Sequence, residues 1–441
     1  MKRISAGILI ASLLTVAAGC GNNNGNGNAS PASSEAASGA ASSAPASSAA
    51  ASSDAPKKDV TIKVFQFKVE IADALNKMAE AYEKETGVKV DVETHGGGED
   101  YNALLKAEIA SGSEPEIFNS EGYAALEPYY DRATDLSGES WAKDVVNSAA
   151  APAQVDGKLL GMPMNIEGYG IIYNKDLFAK AGITELPKTL SELEAAAKKL
   201  QDAGITPFST TNEWWSIGHH TINVGLSEQP DPVKFIEDNK AGTASFKGNE
   251  VFGKWINYVD LVFKYSQKDK LTTDYATQVA TFASGKAAMI QQGNWIQGDV
   301  DKVAKLNLGM MPIPIDDSGK AHIYTGPANF WIVNSKSKNA EEAKKFLAWM
   351  VTSETGKSYI TKEFKFIPAL ATIPATSEDI GQLGAAVSEQ AKDAGGWNWG
   401  RYPDGVIQGW GAAMQEYQGG SIDKDKLFDK FDQAVKDIVS K

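Results

Sequence analysis

Asn294 and Trp295 follow a short apolar run, Ala287 to Ile290, and precede a helical pattern. In open α/β sheets, ligands collect outside the carboxyl ends of strands, where loops turn into helices. An amide that both donates and accepts, set beside a broad aromatic face, suits a pyranose ring. The C–H face of the sugar packs on the indole, and its fringe of hydroxyls meets planar polar groups. The same combination recurs at other turns: Gln66, Asn119 with Glu121, Asn165 with Glu167, Trp214 with Trp215, Phe330 with Trp331, and Trp397, Trp399 and Arg401. With Asn294 and Trp295, these are the candidate ligand-binding residues.

Other conspicuous residues read as structure. Trp255 and Trp349 lie inside amphipathic helical runs, where core packing accounts for them, and Trp141 and Trp410 also sit in helical context. Trp214 and Trp215 are neighbours on a helix and cannot both point one way, so one of them at most is expected to face a ligand. His219 and His220 are adjacent, not spaced i, i+4, and read as ordinary hydrogen-bonded histidines rather than metal ligands. Asp423-Lys424-Asp425-Lys426 lacks the glycine and terminal glutamate of a calcium loop and reads as a helix start. Gly96-Gly97-Gly98 has no lysine and hydroxyl after it, and Thr355-Gly356-Lys357-Ser358 has Val351 in place of the first glycine of a phosphate-binding loop. Neither is a nucleotide site. No metal and no cofactor are expected.

A chain of 441 residues exceeds one ordinary domain, so two lobes are the expectation. The formal net charge of −13 argues against nucleic acid, which needs clustered Lys and Arg, and disfavours adsorption on anionic membranes. Cys20 is the sole cysteine, which rules out an intrachain disulfide and any cysteine-based metal cluster.

Residues 1–19 have the layout of a secretory signal: Lys2 and Arg3, an apolar run from Ile4 to Val16, then small residues. Ala17-Ala18-Gly19-Cys20 resembles a lipobox, in which Cys20 is lipidated and becomes the new amino terminus. Residues 20–58 are dominated by Gly, Asn, Ala, Ser and Pro, a composition expected to stay disordered. Such a coil of about 36 residues spans roughly 30–35 Å, the reach of a tether.

The elements that must position the candidate residues follow in order. Val60 to Phe67 reads as a strand and Ile71 to Lys84 as a helix stopped by Gly87. Val88 to Val92 is a second strand, and a helix opens after the glycine triplet. Pro115 to Phe118 is a short strand ending at Asn119. A strand is expected to end at Asn165-Ile166-Glu167, where Gly168 and Gly170 loosen the chain before a new strand starts. Thr189-Leu190-Ser191-Glu192 is a capping box for the helix reaching Asp202.

Three blocks carry a family resemblance. GMPMNIEGYGIIYNKDLFAKAGI, TFASGKAAMIQQGNW and NAEEAKKFLAWMVTSETGKSYI resemble, in order, conserved-type blocks of the extracellular solute-binding proteins of carbohydrate ABC importers, the group that includes maltose- and raffinose-type binding proteins. The resemblance implies an α/β, two-lobed periplasmic-binding-protein-like fold (type II), with a ligand cleft between lobes joined by hinges. Lobe one would be 59–166 and 327–372; lobe two would be 167–326 and 373–441. It further implies a non-enzymatic, monomeric protein that binds a carbohydrate, a neutral oligosaccharide in this reading, and delivers it to permease subunits. The protein would sit on the extracellular face of a Gram-positive cell membrane, held there only through the lipid on Cys20. Two alternatives are a sugar-sensing module for a receptor and a secreted glycoside hydrolase with Glu121 and Glu167 as its carboxylate pair. The hydrolase would need those carboxyls about 5–10 Å apart.

Overall fold

The computed structural model describes residues 55–440. The signal segment, Cys20 and most of the 20–58 linker lie outside the described residues.

Two sheets, each with its own buried core, organise the chain. The first has the order Lys89–Thr94, Thr61–Gln66, Ile117–Ser120, Phe330–Val333, Met162–Pro163. Its first three strands run parallel and the last two pairings are antiparallel. The helix Ala72–Thr86 covers it with Leu75, Met78, Ala79 and Tyr82, and ends at Gly87, whose φ of 76° supplies the left-handed cap. The second sheet is built around Ile166–Asn174. Ala287–Gly293 lies along one edge of that strand, and Tyr324–Pro327 and Leu308–Met311 share the other.

One core draws on Ile62 to Met164 and Phe330 to Ile373. The other draws on Tyr169 to Tyr324 and Leu383 to Val435. The chain thus crosses between them after Met164, after Tyr324 and after Ile373. Where sequence expectations concern local signals, the structure reproduces them. Glu192 donates its N–H to Thr189 Oγ1 and its carboxylate accepts from the Thr189 N–H, completing the capping box. Asp423 caps the last helix, Lys424–Val439. Trp141, Trp255 and Trp410 are fully buried, and Trp349 is partly buried with its indole donating to Glu85.

The segment around Gly168 differs from expectation. Ile166–Asn174 is one continuous strand of nine residues. Gly168 and Gly170 sit inside it because neighbours approach too closely for a side chain. A Cβ on Gly168 would lie 2.4 Å from Val387, and one on Gly170 would lie 2.9 Å from the Met311 carbonyl oxygen. These glycines serve packing, not looseness. Gly168→Ala is therefore expected to cost about 1–3 kcal/mol through overpacking, measured by denaturant unfolding. A cost near zero would mean that Val387 swings aside.

Candidate functional site

Between the two sheets lies a cleft whose empty space, open to solvent, is about 1050 Å³. Its walls come from the places where parallel strands end. On the first sheet, Phe67 to Glu70 follow Thr61–Gln66, Gly96 to Asn102 follow Lys89–Thr94, and Glu121 follows Ile117–Ser120. On the second, Trp214 and Trp215 follow Thr206–Ser209, and Trp295 follows Ala287–Gly293. A glycine-containing loop brings Trp397 and Trp399. The carboxyl ends of the strands thus converge on one space, as the geometry of open α/β sheets requires.

Seven candidate residues meet there: Glu121, Glu167, Trp214, Trp215, Trp295, Trp397 and Trp399. Both Trp214 and Trp215 line the cavity, against the expectation of one at most. They begin a helical turn that continues as the π-helix Ser216–His220, and His219 and His220 line the cavity one turn further on, so two adjacent columns of this helix face it.

Four candidates are buried instead as positioning groups. Gln66 accepts from the Lys68 N–H at 2.7 Å and donates to the Lys68 carbonyl at 3.0 Å, stapling the turn that carries the lysine. Asn119 accepts from the Phe67 N–H and donates to the Phe330 carbonyl. Asn165 donates to Glu167 at 3.0 Å, and Asn294 accepts from the Gly168 N–H at 2.8 Å. Phe330 and Trp331 belong to the first core. They open an interior strand whose two faces are both covered, so alternation sends neither side chain to the cleft. Arg401 lines a neighbouring cavity, where its guanidinium lies 4.1 Å from the Tyr123 ring centroid.

Sequence reasoning passed over several lining residues. Lys68 Nζ pairs with Glu167 Oε1 at 2.6 Å, with only 3% and 4% of the two side chains exposed. Burial would pull the Lys68 ammonium down, but Glu167 and Glu70 outweigh it and hold it above its ordinary value. Its charge also sits 5.9 Å from the Trp295 ring centroid. The glycine triplet, read as a plain turn, lines the cavity, and a Cβ on Gly98 would lie 3.2 Å from the Glu213 carboxylate.

His220 is not an ordinary hydrogen-bonded histidine. His220 is buried among Trp295, Tyr169 and Trp399 at 4.9, 5.1 and 5.2 Å between ring centroids, and its Nδ1 has no partner among the described residues. Burial pulls His219 down to about 3, with Asp404 opposing; burial, His219 and Lys68 hold His220 well below its usual range. Both rings are neutral near pH 7. The signal available beforehand was their place two turns after a strand end, amid tryptophans.

Polar contacts tie the first sheet's loops to the second's beyond the Lys68–Glu167 pair. Tyr275 donates to Glu70 at 3.2 Å, Asn102 donates to Asp404 at 2.9 Å, and Lys106 also pairs with Asp404. Among the described residues, no group of three or more His, Cys, Asp or Glu is placed to hold a metal ion.

Glu121 is the titrating group of this wall. Burial, then the charge of Asp404, push its carboxyl up to about 7 from an ordinary 4.5, with a Trp399 hydrogen bond opposing. A raised carboxyl favours the folded state most when both states are protonated. Its contribution is therefore complete below about pH 4.5 and is lost as pH rises through about 7. Denaturant unfolding of Glu121→Gln is expected to show a flatter pH dependence than the parent over that window. Superimposable slopes would place Glu121 in water.

The residues from 68 to 357 match the family profile described as bacterial extracellular solute-binding protein. Over 367 residues the chain is 28% identical to a maltooligosaccharide ABC transporter solute-binding lipoprotein of Streptococcus pneumoniae (strain ATCC BAA-255 / R6), covering 79% of this chain and 76% of the relative. It is 25% identical over 316 residues to the melibiose/raffinose/stachyose-binding protein MelE of Bacillus subtilis (strain 168), covering 68% and 72%. A solved chitin oligosaccharide binding protein superposes with a TM-score of 0.74 at 23% identity, covering 87% of this chain and 99% of that one. The architecture is the two-lobed periplasmic-binding-protein-like α/β fold. With the profile spanning well over half its length, the chain belongs to the family of bacterial extracellular solute-binding proteins.

Proposed function

We propose that this protein is the extracellular sugar-binding component of an ABC importer, capturing a neutral oligosaccharide in the interlobe cavity and passing it to permease subunits. The observation that carries the reading is the cavity itself, with five tryptophans set among carboxylates, amides and neutral imidazoles at the ends of strands from both sheets. Indole faces take the apolar side of pyranoses, and the polar groups take hydroxyls. The cavity disfavours anionic sugars, because its one lysine is already engaged by Glu167 and carboxylates make up the rest of its charge. The names of the relatives point the same way.

Lobes of 59–166 with 327–372, and 167–326 with 373–441, closing by hinge bending, fit the two cores. Lipidation of Cys20 would hold a monomer at the outer membrane face on a flexible tether. The hydrolase alternative takes Glu121 and Glu167 as its carboxylate pair, and Glu167 is tied up by Lys68 and Asn165.

Thermal unfolding against a panel of maltodextrins, raffinose-type sugars and chitin oligosaccharides tests the reading. A ligand at a hundred times its dissociation constant adds about 2.7 kcal/mol. A stabilising oligosaccharide recovered unchanged supports it. Consumption of the sugar would indicate a hydrolase, and a panel with no stabiliser would remove carbohydrate as the ligand.

A further inference from the structure

The cavity wall gathers acids from both sheets. Glu70, Glu99, Asp100, Glu121, Glu167 and Asp404 line it, and Lys68 is its one cationic side chain among the described residues. A single ammonium, engaged by Glu167, thus faces six carboxyl groups. Carboxylates brought together away from water favour the protonated form of one of them.

Glu121 and Asp404 meet this condition from opposite sides. Glu121 follows the strand Ile117–Ser120 of the first sheet. Asp404 lies in the loop between Trp397 and the helix Val406–Gln418, which packs in the second core. That loop folds over Glu121: a Cβ on Gly400 would lie 3.6 Å from the Glu121 carbonyl oxygen, and the Trp399 indole donates to the carboxyl. Asp404 is drawn toward the first sheet by the helix Tyr101–Ser111, where Asn102 donates to it at 2.9 Å and Lys106 pairs with it.

The other charged and titratable groups around Glu121 leave it without a counterion. Lys106 is engaged by Asp404. Arg401 lies 4.1 Å from the Tyr123 ring centroid and donates to the Tyr123 hydroxyl and to Asn398 Oδ1. His219, stacked on Trp399 at 5°, is neutral near pH 7, and Asp100, the cap of the Lys106 helix, is a further acid.

We propose that closing the cleft takes up a proton at Glu121, so that ligand capture strengthens in mildly acidic surroundings and weakens as this carboxyl ionises against Asp404. The inference rests on the hinge closure and the sugar reading proposed above. With the sheets together, burial and then the Asp404 charge hold the Glu121 carboxyl up to about 7; with them apart it returns toward its ordinary 4.5. The proton's contribution to closure is complete below about pH 4.5 and disappears as pH rises through about 7. From about pH 5.5 to 7.5, affinity should fall about tenfold.

Calorimetric titration of the whole chain with maltotriose, stachyose and chitotriose, repeated in buffers of different ionisation enthalpy, counts the protons. A sugar that binds should carry about one proton into the complex near pH 6 and almost none near pH 8. Glu121→Gln, an uncharged isostere, should bind the same sugar without proton uptake and with little change in affinity over that range. Asp404→Asn should keep the uptake and move its midpoint to lower pH, a displacement that a merely structural role would not produce. Parent binding without proton uptake, or uptake that persists in Glu121→Gln, overturns the proposal and leaves the sugar reading intact. If none of the three sugars binds, the sugar reading falls, and small-angle scattering of the sugar-free chain decides the proton linkage. Contraction between about pH 8 and 5.5 in the parent, absent in Glu121→Gln, supports it. A constant radius of gyration in both overturns it.

Discussion

Glu167→Ala will leave the Lys68 ammonium buried without its partner, and sugar affinity will fall by roughly 10²–10³-fold. Removing one member of a buried ion pair costs about 3–5 kcal/mol, because the remaining charge keeps its desolvation penalty. Here Lys68 follows a strand of the first sheet, Glu167 lies on the central strand of the second, and the two meet at 2.6 Å in the cavity wall. On the hinge bending proposed above, opening returns Lys68 to water and relieves the penalty. The cost therefore falls on closure and on ligand binding, and denaturant unfolding should change by less than binding does. Small-angle scattering in saturating sugar reads closure directly, and the single variant should stay extended where the parent contracts. Replacing both partners with apolar residues, Lys68→Met with Glu167→Leu, removes the stranded charge and should restore contraction, since well-packed apolar replacements of buried pairs are often neutral or better. If Glu167→Ala contracts as the parent does, the pair is not what holds the lobes together.

The second large effect is expected at Trp295. Its ring runs parallel to Tyr169 at 9° with centroids 6.4 Å apart, lies 4.9 Å from His220, and faces the Lys68 ammonium. The backbone is shaped to hold it, because a Cβ on Gly293 would fall 1.9 Å from the indole. Trp295→Ala removes a central, desolvated aromatic face, for which truncation costs about 2–4 kcal/mol, or roughly 30- to 1000-fold in dissociation constant. Trp295→Phe should recover part of that loss. Gly293→Ala should lower affinity in the same direction by displacing the ring without removing it. Calorimetry on the three variants decides the matter: a loss below threefold in Trp295→Ala would place the sugar against other tryptophans.

Wherever the governing signal lay within a few residues, it could be read directly. The helix after the first strand, the Thr189–Glu192 capping box and the Asp423 cap depend on contacts across one or two turns, which periodicity and cap chemistry encode. Half of the candidates picked as polar and aromatic residues at strand ends do line the cavity, since the side chains that follow parallel strands share one rim of the sheet. The same rule misplaced Phe330 and Trp331, because they begin a strand and do not follow one. Periodicity marks a strand without stating which of its ends faces the cleft. Gln66, Asn119 and Asn294 have the right residue types in the right places, yet they hydrogen-bond backbone groups, and Asn165 spends its amide N–H on Glu167. Nothing local distinguishes an amide that binds a ligand from one that binds backbone.

The sequence alone therefore determined the family, the alternation of strands and helices, and the aromatic, acidic character of the site. Each of these follows from residue type and short-range spacing. Tertiary structure decided which groups pay for their burial together. Lys68 and Glu167 are 99 residues apart, Glu70 and Tyr275 are 205 apart, and Asn102 and Asp404 are 302 apart. The neutral state of the two histidines and the raised carboxyl of Glu121 likewise arise only when the two sheets face each other. Desolvation and charge pairing depend on distance in space, and linear order carries that distance only through the completed fold.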